Sequence, residues 1–233
     1  VVIFENDVVV DTLPYDSFKG YYQSKNYRPQ VNSRYKLEVS APGFPAAKAF
    51  CEIPAKVKIQ KASIRDSAGI DEGGSYYSRL LVTFHDPADA KNYYNLAGKQ
   101  VQTYNPTPWD PNAPVSYYFS PIYFFSELPT VSDAGDVGVL LKDDLFSGRS
   151  YDLALNYYPS YYGSGTPTDG DTLLIAFKTV SFDYYEYFRK LQLHFYNQGG
   201  DLFTGEPVVM PNNIQGGYGL FAGYSQDTIM AVK

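Results

Sequence analysis

Only two imidazoles, His85 and His194, are present to act as the base that a serine or cysteine nucleophile requires. His85 closes a strand-like run before Asp86-Pro87, and His194 sits beside Phe195 on a helical stretch. Neither belongs to a nucleophile motif, and a structural role is the better reading for each. No GxSxG, HExxH, Walker loop or GxGxxG after a strand occurs. The nearest carboxylate pairs for glycoside hydrolysis or calcium binding are Asp143 with Asp144, and Asp133 with Asp136 in VSDAGDVG. Adjacent aspartates on a strand point to opposite faces, and a lone DxxD lacks the spacing of a calcium loop. Cys51 stands alone, which excludes an internal disulfide and a multi-cysteine zinc site. The expectation is a non-enzyme without cofactor or metal. A cleft that brought Asp86, Asp143 or Asp144 together with a histidine would revive an enzymatic reading.

Aromatic side chains offer a different chemistry. With 24 Tyr and 15 Phe, the chain can stack rings on sugars or anchor a protein partner. The densest exposed-looking clusters are Tyr104 and Trp109 in YNPTPWDPN, and Tyr157, Tyr158, Tyr161 and Tyr162 in NYYPSYYGSG. A carbohydrate- or peptide-binding module built on Tyr104, Trp109, Tyr158, Tyr161 and Tyr162 needs those five rings exposed and roughly coplanar. The bland alternative is that both loops fold back over sandwich edges.

Basic residues number 19 against 25 acidic, a net charge of -6 with neither sign gathered into a block. That pattern argues against nucleic acid as a partner. No apolar run approaches the ~18 residues that would span a bilayer. The opening VVIFEND has neither the charged nor the apolar region of a signal peptide, so Val1 reads as a trimmed or processed end. Tyrosine-rich, cysteine-poor composition punctuated by Gly and Pro favours an extracytoplasmic β protein.

The elements that would carry these residues are mostly strands. VVIFE and VVVDTL flank Asn6-Asp7 as a hairpin, and YKLEVS puts Tyr35, Leu37 and Val39 on one face. Pro54 ends the strand in AAKAFCEIP, which completes a small immunoglobulin-like sandwich over residues 1–55. Residues 56–233 then form a larger β-sandwich. In it, Leu80, Val82 and Phe84 alternate on one strand, and Tyr151, Leu153, Leu155 and Tyr157 on another. Six prolines between Gln100 and Pro129 leave room for one strand at 115–119. TLLIAFKTV is apolar on both faces, as a central strand would be. One helix is expected at 182–197, capped by Ser181, stopped by Gly199-Gly200, and buried along Tyr184, Phe188, Leu191 and Phe195. The fold class is therefore mainly β, with two sandwich-like domains and a single late helix.

Four blocks follow one another in a recognisable order: RYKLEVSAPGFPAAKAFCEIP, VTFHDPADAKNYYNL, LLKDDLFSGRSYDLAL, and the run from SFDYYEYFRKLQLHFYNQGG to GGYGLFAGYS. Together they resemble the domain of unknown function family numbered 4249, uncharacterised envelope lipoproteins of Bacteroidota. The resemblance extends from about Tyr35 onward, and the last block is its most specific part, with one extra residue between Phe203 and Pro207. It implies a lipoprotein anchored at the outer membrane by an acylated cysteine ahead of this sequence. It also implies an accessory or binding role beside a TonB-dependent outer-membrane transporter. No catalytic residue comes with it. It further implies that NNIQGGYGLFAGYS is the closing strand of the larger domain, its glycines allowing a bulge or a close backbone approach.

Overall fold

Val2–Glu5 (β1) and Val8–Thr12 (β2) pair across a two-residue turn in which Asn6 and Asp7 take φ of 48° and 66°. Two successive left-handed residues match the twist of the flanking strands, and Asn and Asp tolerate that conformation. The computed structural model describes residues 1–102, the backbone of 103 and 104, and residues 110, 116–159, 172–198 and 207–232.

Tyr15–Asp16 (β3) and Tyr21–Tyr22 (β4) form a short separate hairpin. Arg34–Val39 (β5) and Ala47–Glu52 (β6) extend the first sheet beyond β1, with Tyr35 and Ala49 buried on one face. The chain continues through Ile59–Ile70 (β7), Tyr76–His85 (β8), Tyr93–Tyr104 (β9), Ser116–Ile122 (β10) and Phe124–Phe125 (β11). Val131–Asp133 (β12), Val139–Lys142 (β13), Ser150–Tyr157 (β14) and Thr172–Val180 (β15) follow. Phe182–Gln198 (α1), Ile214–Gln215 (β16) and Tyr224–Val232 (β17) complete the elements. Among the described residues strand clearly outweighs helix, and the protein is mainly β with a single late α-helix, as the sequence predicts.

Two units separate by their internal contacts: Val1–Lys56 with Thr179–Ser225, and Val57–Lys178 with Gln226–Lys233. In the first, the strand order among the described residues is β16-β6-β5-β1-β2. Ile214 lies opposite Ala49, and Gln215 opposite Lys48. Contrary to what the family resemblance implies, the strand residues Ile214-Gln215 of the run Asn212 to Ser225 pair in the first sheet, and only its last two residues, Tyr224 and Ser225, begin β17. Its glycines explain the placement. A Cβ at Gly216, where φ is 78°, would come within 3.0 Å of the Ala46 carbonyl oxygen, and one at Gly223 within 2.6 Å of that of Glu52. Glycine lets this segment press against β6, but nothing in its pattern names the strand it presses against.

In the second unit the order is β11-β14-β8-β7 in one sheet and β12-β13-β9-β15-β17 in the other. β10 also pairs with β9: residues 93–96 of β9 face β13, and residues 98–104 face β10. The two sheets share one core. Leu80, Val82, Phe84, Leu153, Leu155 and Tyr157 from the first meet Tyr94, Leu96, Leu173, Ile175 and Phe177 from the second. Phe84 packs on Phe177 and Tyr94 with ring centroids 4.7 and 5.1 Å apart. The alternation read on β8 and β14 is thus the core face.

Two expectations need correction. The strand expected at 115–119 runs to Ile122 through Pro121, which sits opposite Lys99. Among the described residues β10 pairs with β9 alone, and such an edge strand is where proline is tolerated. The second concerns α1, which starts as predicted, with the Tyr184 N–H donating to Ser181 Oγ at 3.4 Å. Full burial is confined to Tyr184 and Tyr185; Phe188 and Leu191 of the predicted stripe are half-buried, and Phe195 is exposed. The spacing of an apolar stripe does not reveal how far along a helix the supporting surface continues. The expected stop at Gly199-Gly200 lies outside the described residues.

Candidate functional site

β15 has two useful faces. Leu173, Ile175 and Phe177 enter the core, which leaves Leu174, Ala176 and Lys178 on the outside of the sheet. On the neighbouring β9 the outward positions are Ala97 and Lys99, and on β17 they are Gln226 and Thr228. Where the alanines stand, the sheet surface is low. Tyr123, at the step from β10 to β11, and the 3-10 turn Gly135–Val137 rise beside it. The result is a cup of about 380 Å³, open at the outer face. Its floor is apolar, while Lys99, Lys178, Asp136, Gln226 and Thr228 supply polar groups.

VSDAGDVG builds one wall. Asp133 Oδ1 accepts the Gly135 N–H at 2.9 Å, which fixes the turn. A Cβ at Gly138, where φ is 100°, would come within 2.2 Å of the Leu96 carbonyl oxygen, so only glycine lets the turn lie flush on β9. Asp136 is thereby presented at the cup, where its Oδ1 accepts the Tyr123 hydroxyl at 3.2 Å. The two aspartates of the DxxD serve separate jobs rather than one ion. Among the described residues, no three His, Cys, Asp or Glu side chains converge in a metal-binding arrangement. Burial pulls the Lys178 ammonium pKa below its ordinary value, because a partly desolvated charge is disfavoured.

Of the five aromatic candidates, Tyr158 is described in full. It is 45% exposed, stacks on Phe125 at 5.2 Å and 21°, and donates its hydroxyl to Asp71 at 2.6 Å. That hydrogen bond holds the Asp71 carboxyl below the usual carboxylate range. Tyr77 meets Phe125 edge-on at 5.6 Å, which makes a short row of rings on the outer face of the β8 and β14 sheet. The Tyr104 side chain, Trp109, Tyr161 and Tyr162 lie outside the described residues.

Asp86 and Asp143 do approach one another, inside the protein. Asp86 is fully buried, accepting the Tyr94 hydroxyl and the Gly148 N–H, the latter at 3.0 Å. Asp143 accepts the Asn92 N–H at 2.7 Å. Desolvation raises the Asp143 pKa, and the nearby Asp86 charge adds to the rise. Asp144 points the other way, to Lys142 at 2.7 Å and Lys91 at 3.0 Å, which lower its pKa. The imidazoles are engaged elsewhere: His85 Nδ1 lies 3.3 Å from Ser150 Oγ, and His194 Nε2 lies 2.8 Å from the Gln198 amide. The buried aspartates tie the loop after β8 to the one after β13, a structural knot.

Sequence reasoning reached Asp136 as a calcium candidate and missed Lys99, Lys178 and Tyr123. The signal was the apolar outer face of TLLIAFKTV ending in a lysine. A second apolar face on a strand can mean a second core or a ligand floor.

No helix among the described residues is long and apolar enough to cross a membrane. Comparisons with curated proteins and with solved structures found no match. Comparison with family models matches residues 1–230 to the domain of unknown function DUF4249, and the chain belongs to that family.

Proposed function

We propose that this protein is a non-catalytic binding protein of the cell envelope, which captures a small ligand in the cup formed by β9, β15 and β17. In this reading it is lipid-anchored at the outer membrane and serves as an accessory of a TonB-dependent transporter. The observation that carries the binding role is the cup itself, about 380 Å³ with an apolar floor and a charged rim. Sites for small molecules are typically apolar concavities of roughly 300–1,000 Å³ with a few convergent polar groups. The envelope location and the transporter partner rest on the resemblance of the four sequence blocks.

Two experiments test these parts separately. For the cup, ligand-observed NMR with a panel of small metabolites compares the wild type with Ala176→Leu, which fills the floor. Ligands lost in the variant support the reading, and a panel that binds both proteins equally overturns it. For the partner, the acylated protein is crosslinked in native membranes and its partners are identified by mass spectrometry. Recovery of a TonB-dependent transporter supports the accessory role. Recovery of the protein alone, together with fractionation to the cytoplasm, sinks it.

A second reading is a carbohydrate- or peptide-binding surface made by Tyr104, Trp109, Tyr158, Tyr161 and Tyr162. The half-exposed Tyr158 ring in the row with Phe125 and Tyr77 favours it. Under this reading Tyr158→Ala abolishes binding and Ala176→Leu does not.

A further inference from the structure

We propose that the cup takes an acidic sugar: a pyranose ring carrying one carboxylate, held by Lys99 and Lys178 through its charge and by Asp136, Gln226 and Thr228 through its hydroxyls. This rests on the reading of the cup as a ligand site and names its ligand class.

The argument runs through the chemistry of the lining. Two lysines against one aspartate give the rim a net positive charge, so an anion is favoured over an amine. An inorganic anion has no use for the floor, where Leu174, Ala97 and Ala176 leave an apolar hollow. A purely apolar ligand would strip water from the lysines without replacing it. What satisfies both halves is an anion with an apolar face and several hydroxyls. Pyranoses have such faces, because their C–H groups cluster on one side of the ring. Tyr123, 64% exposed, offers an aromatic surface to them. Its hydroxyl fixes Asp136, which is then set as an acceptor for ring hydroxyls. The cup has room for about one such ring, being at the lower end of the roughly 300–1,000 Å³ usual for ligand pockets. A ligand carboxylate beside Lys178 favours the charged form that burial disfavours.

The test is titration calorimetry of the whole chain with glucuronate and galacturonate, against glucose as the neutral sugar and benzoate as a ring carboxylate without hydroxyls. At least one uronate is expected to bind about tenfold or more tightly than both controls, since a charge-assisted hydrogen bond is roughly twice as strong as a neutral one. Lys178→Met and the more exposed Lys99→Gln each weaken the uronate about tenfold, and Lys190→Gln on α1 leaves it unchanged. Uronate protection of Lys99 and Lys178 from reductive methylation provides a readout at the site itself. Equal binding of glucose overturns the charge assignment, and equal binding of benzoate overturns the sugar assignment. If neither uronate binds while another ligand is lost on Ala176→Leu, this inference fails and the cup remains a binding site. If no ligand responds to that filling, both readings fail together.

Discussion

The hydroxyl of Tyr123 donates to the Asp136 carboxylate at 3.2 Å, which joins the step between β10 and β11 to the glycine-lined turn after β12. Both residues are exposed, so the bond adds little to stability. Its effect falls on geometry, because it holds one wall of the cup in place. Tyr123→Phe is expected to shift the urea midpoint negligibly, by under about 0.5 kcal/mol, as for most surface changes. The same variant weakens uronate binding severalfold by calorimetry. A large stability loss would show that the bond belongs to the fold instead.

Tyr94→Phe removes a donor from the fully buried Asp86. Leaving a buried acceptor short of a partner costs about 1–3 kcal/mol. Chemical denaturation should show that loss with an unchanged slope.

Asp143 makes stability depend on pH. Its carboxyl pKa is raised by desolvation, so the folded state holds the proton more tightly than the unfolded chain does. The contribution is fully present below the unfolded value of 3.8 and is lost as pH rises through the higher folded value. Asp143→Asn removes the titration while keeping an acceptor for the Asn92 N–H. The variant should therefore gain on the wild type as pH climbs from below 3.8 through the carboxylate range, then hold a constant difference. A variant that lost ground to the wild type on that climb would contradict the assignment.

The Cys51 thiol is pushed up to about 12 by burial, with the Asp183 charge adding to the effect. Only the thiolate is nucleophilic. Iodoacetamide at pH 8 should leave Cys51 unmodified in the folded protein and alkylate it readily in urea, as read by intact mass.

Gly223→Ala places a methyl 2.6 Å from the Glu52 carbonyl oxygen and 2.8 Å from Ile53 Cγ1. Overpacking of this kind costs roughly 1–3 kcal/mol. A matching fall in the thermal midpoint is expected, and an unchanged midpoint would refute the close approach to β6.

How much of this could be read in advance follows from the range of each interaction. The Asn6-Asp7 turn, the alternation on β8 and β14 and the Ser181 cap depend on neighbours a few residues away, and all were legible. Phe195 was misjudged because a stripe records the helix side of a contact and not the extent of its partner. The cup was invisible because Ala97, Tyr123, Asp136, Lys178 and Gln226 come from separate segments. Each is unremarkable in its own, since an alanine in a strand marks a floor only once taller side chains stand around it. The aromatic pattern did give Tyr158 its exposed ring.

The pairing of Ile214 with Ala49 joins segments far apart in sequence. Long-range pairing of this kind is slow, since loop closure must precede any reward from contact. During synthesis β6 is made well before β16, so the edge of β6 waits uncovered while the strands between them are made. An open strand edge is a template for wrong partners. The first sheet gains its β16 edge only after β7 to β15 have been made, and over that interval the edge of β6 is open to mispairing.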